Sequence, residues 1–418
     1  MDFNPQTPMG HHPSDDQQLS NQQTTIPINQ QNKIPQGTPP NQNQQVFSGY
    51  PPYGNQYQAP QQGYPYPGQQ VPPPYYGQPM PAPPKPSNPQ KVFLKKVANR
   101  VGLGCLICVA GYALFSYLFL FLAPLITLLV TGQTQLIDQM GLFRAILYTY
   151  QSSTELQWAM QLFVSVFGCG VAILSLRKML NIKIKSFFHK PEHGLRYIAQ
   201  GSIVQLGISM AASMALTILT SLCLGLMGDV GGSISSPDFS LRELNPITVT
   251  LYLLSLLVVA PIFEEILFRG FVLRALQRYG NIFAIAVSSI CFGLYHGNLS
   301  QFVPTAIGAC IMGYIAVKSN SLIPGMVIHL INNLISTVQV LAIDYLPDTW
   351  STAINVSLNL LIFGGAILIL ILNAKRISLK NNNMSNLSNG ECVAATIATP
   401  GMILFLVYSL WQIITYFF

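Results

Sequence analysis

Long apolar runs separated by short polar segments make up most of the chain after residue 90. Nine of these runs are candidate membrane spans, because a helix of roughly 20 apolar residues crosses the hydrocarbon core of a bilayer. They lie at about 101–130, 157–177, 198–227, 247–272, 281–299, 301–318, 321–342, 351–373 and 399–418. The pattern therefore predicts an all-α protein, a polytopic membrane helix bundle with about eight or nine spans.

Residues 1–90 have a different composition, in which Gln, Pro, Asn, Gly and Tyr dominate and aliphatic clusters are almost absent. Such a segment cannot bury enough apolar surface to offset its chain entropy, so we expect a disordered tail. Its tyrosines recur beside prolines, which favours weak multivalent protein contacts. The chain thus divides into this tail, a transmembrane domain at 91–373 with its polar motifs at 247–342, and a linker with an extra span at 374–418.

The charge content supports a membrane protein and gives its orientation. Hydrophobic residues make up 50% of the chain and charged residues 8%, against about a quarter charged in soluble domains, so we expect the lipid bilayer to cover the surface. The net charge of +7 comes from Lys and Arg that collect in alternate loops. This distribution is a topology signal rather than a nucleic-acid site, and it places the N-terminus of this multi-pass protein in the cytoplasm.

Three polar clusters interrupt the spans. They are Glu264, Glu265 and Arg269 in the fourth span, Phe292 and His296 in the fifth, and His329, Asn332 and Asn333 in the seventh. Ionisable side chains at membrane depth are costly, so each cluster is a functional-site hypothesis. Glu265 and Arg269 are four residues apart and can pair on one helix face. The same spacing places Asn333, rather than Asn332, on the face of His329.

Helix geometry predicts that these clusters meet. Glu264 lies sixteen residues before Gly280, at the turn between the fourth and fifth spans, and His296 lies sixteen residues after it. At 1.5 Å per residue both are about 24 Å from the turn. His329 lies about 13 Å beyond the next cytoplasmic turn, at Asn320. We expect the clusters to share a cavity open to the cytoplasm if the hairpin projects further than that turn.

The residue types in these clusters indicate a range of chemistry. A carboxylate beside an imidazole can hold a metal or deprotonate a water. His329 and Asn333 can donate hydrogen bonds to an oxyanion, whereas Arg269 is the expected structural partner of Glu265. The same groups could instead form structural ion pairs between helices, or relay protons in a proton-coupled transporter.

The order EExxxR, FxxxH, HxxxN on successive membrane helices resembles the CPBP family of intramembrane proteases, which includes CAAX prenyl endopeptidases and bacterial immunity-type proteins. The matching stretches are Glu264-Glu265-Ile-Leu-Phe-Arg269, Phe292-Gly-Leu-Tyr-His296 and His329-Leu-Ile-Asn332-Asn333. The resemblance implies that 91–373 is a CPBP-type protease domain of the cell membrane. It also implies a CAAX-protease-like metalloendopeptidase that hydrolyses a membrane-associated or lipidated polypeptide near the cytoplasmic face.

The resemblance also assigns roles to the site residues. The catalytic residues are Glu264, His296, His329 and Asn333, and the supporting residues are Glu265, Arg269 and Phe292. Glu264 and His296 would activate the attacking water. A divalent metal, expected to be zinc, would be held by Glu264, His296 and His329, although a metal-free glutamate mechanism stays open because the HExxH spacing is absent. A non-catalytic immunity or scaffold protein would keep the same fold.

Overall fold

The computed structural model describes residues 88–192, 194–227, 241 and 244–417. Within these ranges the helices are α1 Pro89–Val130, α2 Gln135–Met140, α3 Leu142–Ser152, α4 Thr154–Leu180, α5 Leu195–Met227, α6 Pro246–Leu276, α7 Asn281–Tyr295, α8 Leu299–Ser319, α9 Ile323–Tyr345, α10 Asp348–Asn373, α11 Asn389–Ile397 and α12 Pro400–Phe417. The tail predicted at residues 1–90 lies outside the described residues as far as residue 87.

Seven of these helices, α1, α4, α5, α6, α8, α9 and α10, are long and apolar enough to cross a membrane. Helices α11 and α12 meet at a bend of 75° and form an eighth span if they act together. The prediction of an all-α membrane helix bundle is therefore confirmed. The candidate span at 281–299 is different, because α7 has only 15 residues and reaches about 22 Å, short of the roughly 30 Å hydrocarbon core.

Large apolar side chains face outward on the long helices. Leu114 on α1 is 65% exposed, and Leu360 and Leu361 on α10 are 67% and 73% exposed. Apolar surface on this scale would be a liability in water, whereas lipid covers it at no cost. The exposed faces, the number of long apolar helices and the low charge together identify a multi-pass membrane protein.

Helix α1 packs along α4 on one side and along α12 on the other. Small residues allow these close approaches. Membrane helices associate through such close packing, because lipid is as apolar as the helix surfaces and the hydrophobic effect does not drive them together. A Cβ atom at Gly102 would lie 2.3 Å from the backbone nitrogen of Met402 on α12. Gly111 and Gly168 bring α1 and α4 together in the same way.

The segment after α10 contacts the turn between α6 and α7. The side-chain amide of Asn281 donates to the carbonyl oxygen of Lys380 at 2.6 Å, and the backbone N–H of Met384 donates to Arg278 at 3.0 Å. At Gly280 the backbone has φ +124°, a conformation that L residues rarely adopt. The 374–418 segment therefore supports the hairpin that carries two of the three motifs.

Helix α6 departs from regular α-helical geometry. Two π-helical stretches, Leu254–Val259 and Glu265–Leu273, flank a short α-helical stretch, Ala260–Glu264. Pro261, near the start of that stretch, has no N–H and its ring crowds the carbonyl group four residues earlier, which disturbs regular helical bonding. The helix widens instead, and the first polar motif lies at this distortion.

Candidate active site

The three polar motifs meet around the ring of Phe292 on α7. The guanidinium carbon of Arg269 lies 4.3 Å from the centre of this ring. The ring centroids of His296 and His329 lie 4.9 Å and 6.1 Å from it, both nearly perpendicular to its plane. The predicted convergence of the three clusters is therefore present, and Phe292 is the side chain that all three share.

Glu264 lies next to His329, with 3.8 Å between Oε2 and Nε2. Both residues are only 8% exposed. The sequence instead led us to expect His296 as the close partner of Glu264, yet no nitrogen of His296 comes within 4.0 Å of a Glu264 oxygen. The register between α6 and α9 brings His329 closer to Glu264.

His296 lies at the C-terminal end of α7, where the helix stops inside the bundle. Its Nδ1 lies 2.9 Å from the carbonyl oxygen of Phe292. A carbonyl oxygen only accepts, so in the neutral ring Nδ1 carries the hydrogen and Nε2 keeps a free lone pair. His296 is half-buried, and its Nε2 is therefore available to accept a proton or hold a water.

Glu265 and Arg269 form the pair that their spacing predicts. Oε1 of Glu265 lies 2.9 Å from Nη1 of Arg269, and both residues are fully buried. The contact is an ion pair rather than an aligned hydrogen bond. Nδ1 of His329 lies 3.5 Å from the same carboxylate oxygen. Glu265 therefore sits between Arg269 and His329, and it orients the imidazole so that Nε2 faces Glu264.

Gly325 on α9 leaves room for the Glu265 carboxylate. A Cβ atom at this position would lie 2.9 Å from Oε2 of Glu265. Gly325, His329 and Asn333 follow one another at intervals of four residues, which places them on one face of α9. That spacing was visible in the sequence, but the need for a residue without a side chain became evident only from the neighbouring carboxylate.

Asn333 uses both polar atoms of its side chain inside the bundle. Its Nδ2 donates to the main-chain oxygen of Leu256 on α6 at 2.7 Å. Its Oδ1 accepts a hydrogen bond from Nδ2 of Asn332 at 3.2 Å. The predicted role of Asn333 in binding an oxyanion stays a prediction, and the contact with α6 was not foreseen.

A cluster of thiol and phenol groups also lies beside the motifs and was missed from the sequence. Sγ of Cys169 on α4 lies 3.7 Å from Sγ of Cys108 on α1 and 3.5 Å from the hydroxyl of Tyr295. The ring of Tyr295 in turn lies 5.5 Å from that of His296. The signal was the position of Tyr295 directly before a motif histidine, at a helix end.

The side chains do not form a ready metal site. Across the described parts of the chain, no three His, Cys, Asp or Glu side chains are grouped so that they could hold a metal ion. Glu264 and His329 are close, with 3.8 Å between Oε2 and Nε2, but His296 does not join them within 4.0 Å of the Glu264 carboxylate. The arrangement therefore does not fit the predicted zinc centre, and the zinc ligands stay a prediction.

Residues 246–335 match the protein-family model of the Rce1-like type II CAAX prenyl endopeptidases. The matched segment runs from the start of α6 into α9 and contains all three motifs. The match supports the resemblance of this segment to the CPBP family of CAAX proteases. The search of curated proteins and the search of solved structures gave no match.

A match to this family supports an intramembrane endopeptidase with a polypeptide substrate at the membrane. The family segment is well under half of the chain, and the helices that surround it, α1, α4, α5 and α10 to α12, lie outside the match. They supply part of the wall around the motifs, as Cys169 on α4 shows by its contact with Tyr295 on α7.

Proposed function

We propose that this protein is a CAAX-protease-like endopeptidase of the cell membrane that hydrolyses a peptide bond of a membrane-associated or lipidated polypeptide near the cytoplasmic face. One observation carries the proposal above the others. Within a CAAX-protease segment, two buried acids on α6 converge with a histidine on α9, and a second histidine stands at the end of α7.

In the proposed reaction Glu264 is the general base. Its carboxylate takes a proton from a water molecule, and the water oxygen attacks the carbonyl carbon of the scissile bond. His296 offers a free Nε2 on the ring adjoining Phe292, where it orients the same water. When the tetrahedral intermediate collapses, the proton held by Glu264 passes to the leaving nitrogen, so the carboxylate is regenerated and no proton is lost or gained.

His329 has the position of a donor to the developing oxyanion. Held between Glu264 and Glu265, its ring is oriented from both sides, and preorganised donors of this kind stabilise the transition state more than the ground state. Arg269 balances the charge of Glu265 in a buried setting. Phe292 fixes the rings and the guanidinium relative to one another.

The proposed orientation places the N-terminus in the cytoplasm. The turn after α6 carries Arg278, and the segment after α4 carries Lys183 and Lys185, and such residues stay on the cytoplasmic side of a membrane. The short helix α7 rises from that same side and ends at the site. A substrate anchored in the cytoplasmic leaflet would thus meet the motifs without crossing the bilayer.

The test is a cleavage assay on the purified full chain in lipid nanodiscs. Two peptides of identical sequence, each ending in Cys-aliphatic-aliphatic-X and one of them farnesylated, are incubated with the protein, and products are identified by mass spectrometry. We expect hydrolysis at one bond, with a loss of about 100-fold or more for Glu264→Gln and for His296→Ala. The Asn359→Ala variant, changed on α10, which carries none of the motifs and lies outside the matched segment, should keep full activity.

The same assay separates the alternatives. If a chelator abolishes cleavage, zinc restores it and metal is found in the protein, the reaction depends on a bound metal. If the chelator has no effect, the metal-free route is favoured. Retained biological function in the Glu264→Gln and His296→Ala variants would overturn the protease proposal. It would favour a scaffold or immunity protein, or a transporter if proton flux in liposomes depends on the same residues.

A further inference from the structure

We infer that Asn333 is a positioning residue, which holds α9 against α6 through a main-chain oxygen that Pro261 leaves without a helical donor. This inference rests on the proposed function and goes beyond it. It gives the amide a structural task in the transmembrane bundle, and it explains why an asparagine and a proline stand where they do.

The oxygen in question belongs to Leu256. In a regular α-helix it would accept a hydrogen bond from the N–H of Ala260. In this helix the N–H of Ala260 bonds instead to the oxygen of Ser255, five residues earlier, as the last bond of the first π-helical stretch. The α-helical donor of Leu256 is therefore already used.

The π-helical pattern would supply a second possible donor. Continued by one residue, it would pair the oxygen of Leu256 with the N–H of residue 261. That residue is Pro261, which has no N–H. The oxygen of Leu256 is thus left without either helical partner at the point where the pattern changes.

An unpaired main-chain oxygen is costly inside a membrane, because no bulk water can reach it. The side chain of Asn333 removes this cost, with Nδ2 at 2.7 Å from the oxygen. The amide is held in that orientation, since its Oδ1 accepts from Asn332. One side-chain donor on α9 therefore replaces the donor that the sequence of α6 lacks.

The contact lies between two others that also join α6 and α9. One turn further along α9, the hydroxyl of Thr337 lies 3.3 Å from that of Tyr252. One turn in the other direction, His329 lies 3.8 Å from Glu264. Because the contact at Asn333 is a direct helix-to-helix bond beside the reactive pair, it fixes the distance between that imidazole and carboxylate.

The inference makes a prediction that an oxyanion donor would not share. If Asn333 acts by satisfying Leu256, then replacing Pro261 by a residue with an N–H returns a donor to that oxygen and makes the asparagine dispensable. If Asn333 instead touches the substrate, a donor added to α6 cannot replace it.

The experiment compares four full-length proteins in nanodiscs: the wild type, Pro261→Ala, Asn333→Ala and the double variant. For each we measure kcat and KM on the farnesylated peptide and the thermal unfolding midpoint. We expect Asn333→Ala to lose about tenfold or more in kcat with little change in KM, as an unpaired buried carbonyl displaces the helices. Pro261→Ala should stay within about twofold of the wild type, and the double variant within about threefold of it.

Two further variants serve as a control and as a substitute. Gln339→Ala is the matched control, since it removes an amide side chain of the same helix that bonds Asn359 on α10 rather than α6, and we expect it to retain activity. Pro261→Ser restores an N–H in a second way, so it replaces Pro261→Ala if that protein does not fold. A double variant that stays as inactive as Asn333→Ala, although its unfolding midpoint recovers, would overturn the inference.

The design also separates failure of this inference from failure of the proposed function. If the wild type cleaves no peptide, the protease proposal has failed, but the unfolding midpoints still decide the inference. Recovery of the midpoint in the double variant supports the contact between Asn333 and Leu256. Independent, additive losses from the two substitutions overturn it.

Discussion

Helices α6 and α10 have similar length and are both apolar enough to cross a membrane, yet they differ in what they carry. Helix α6 holds two acids and an arginine in its interior, whereas the only charged residue of α10 is Asp348, in its first turn. Every charged group inside α6 contacts a side chain on another helix or on its own face. Helix α10 presents much of its surface to lipid instead.

The comparison shows that apolar length identifies a span but not its role. Charges inside a span persist only where neighbouring helices supply partners. Around α6 those partners come from α7 and α9, and they also hold the distorted backbone in place. Around α10 the interior polar groups are neutral amides, such as Asn359, which bonds Gln339 on α9 at 2.7 Å. Substitutions in the two helices should therefore differ in the size of their effect on stability.

The largest expected difference concerns the buried ion pair. Replacing Arg269 by Ala leaves the Glu265 carboxylate buried without its guanidinium partner, which should lower the free energy of unfolding by about 3–5 kcal/mol. The matched change on α10, Asn359→Ala, removes one interhelical hydrogen bond and should cost only about 0.6 kcal/mol. Unfolding by SDS titration in mixed micelles measures both.

A double variant sharpens this prediction. Combining Glu265→Gln with Arg269→Met removes both charges and should recover most of the lost stability without recovering cleavage. Equal destabilisation by Arg269→Ala and Asn359→Ala would show that the charged interior of α6 is no more dependent on its partners than the neutral interior of α10.

The next effect concerns two glycines. A methyl group at Gly325 would lie 2.9 Å from Oε2 of Glu265, whereas one at Gly364 on α10 meets nothing within 4 Å. We expect Gly325→Ala to lower stability by about 1–3 kcal/mol and to reduce cleavage, because the carboxylate must move. Gly364→Ala should be neutral or stabilising by up to about 1 kcal/mol, as alanine favours the helix. Similar unfolding curves for the two variants would contradict this account of Gly325.

The smallest effect concerns the outer contact between α6 and α9. Thr337→Val keeps the shape of the side chain and removes the hydroxyl that lies 3.3 Å from that of Tyr252. The same hydroxyl donates to the main-chain oxygen of Asn333 within α9. Loss of the hydroxyl should lower stability by about 0.5–1.5 kcal/mol and leave KM unchanged, which thermal unfolding and the peptide assay would show. A large loss of activity with unchanged stability would mean that Thr337 lies closer to the substrate than the structure places it.

Much of this architecture could be predicted from the sequence because the relevant signals are local. Apolar run length gives the spans, and four-residue spacing gives the pair Glu265 and Arg269. The same reasoning made α7 a full span, because the apolar run continues past the point where the helix ends. The break after Tyr295 depends on a glycine at φ +68°, Gly297, and on the side chain of Asn298, which caps the next helix.

The contacts between helices could not be predicted, since they depend on register and rotation that no single helix encodes. Spacing placed Glu264 level with His296, but packing set His329 beside it. Likewise the bond from Asn333 to Leu256 depends on the change from π-helical to α-helical geometry before Pro261. Only the folded arrangement shows which main-chain oxygen that change leaves unpaired.

The central claim is that Glu264 activates the water in a membrane-embedded peptidase. The most direct test compares kcat/KM of the wild type and of Glu264→Gln on the farnesylated peptide in nanodiscs, with the unfolding midpoint measured on the same samples. The account predicts a loss of about 100-fold or more at an unchanged or higher midpoint, because the amide keeps the size of the side chain and removes the base. Cleavage at the wild-type rate by a folded Glu264→Gln protein would contradict it.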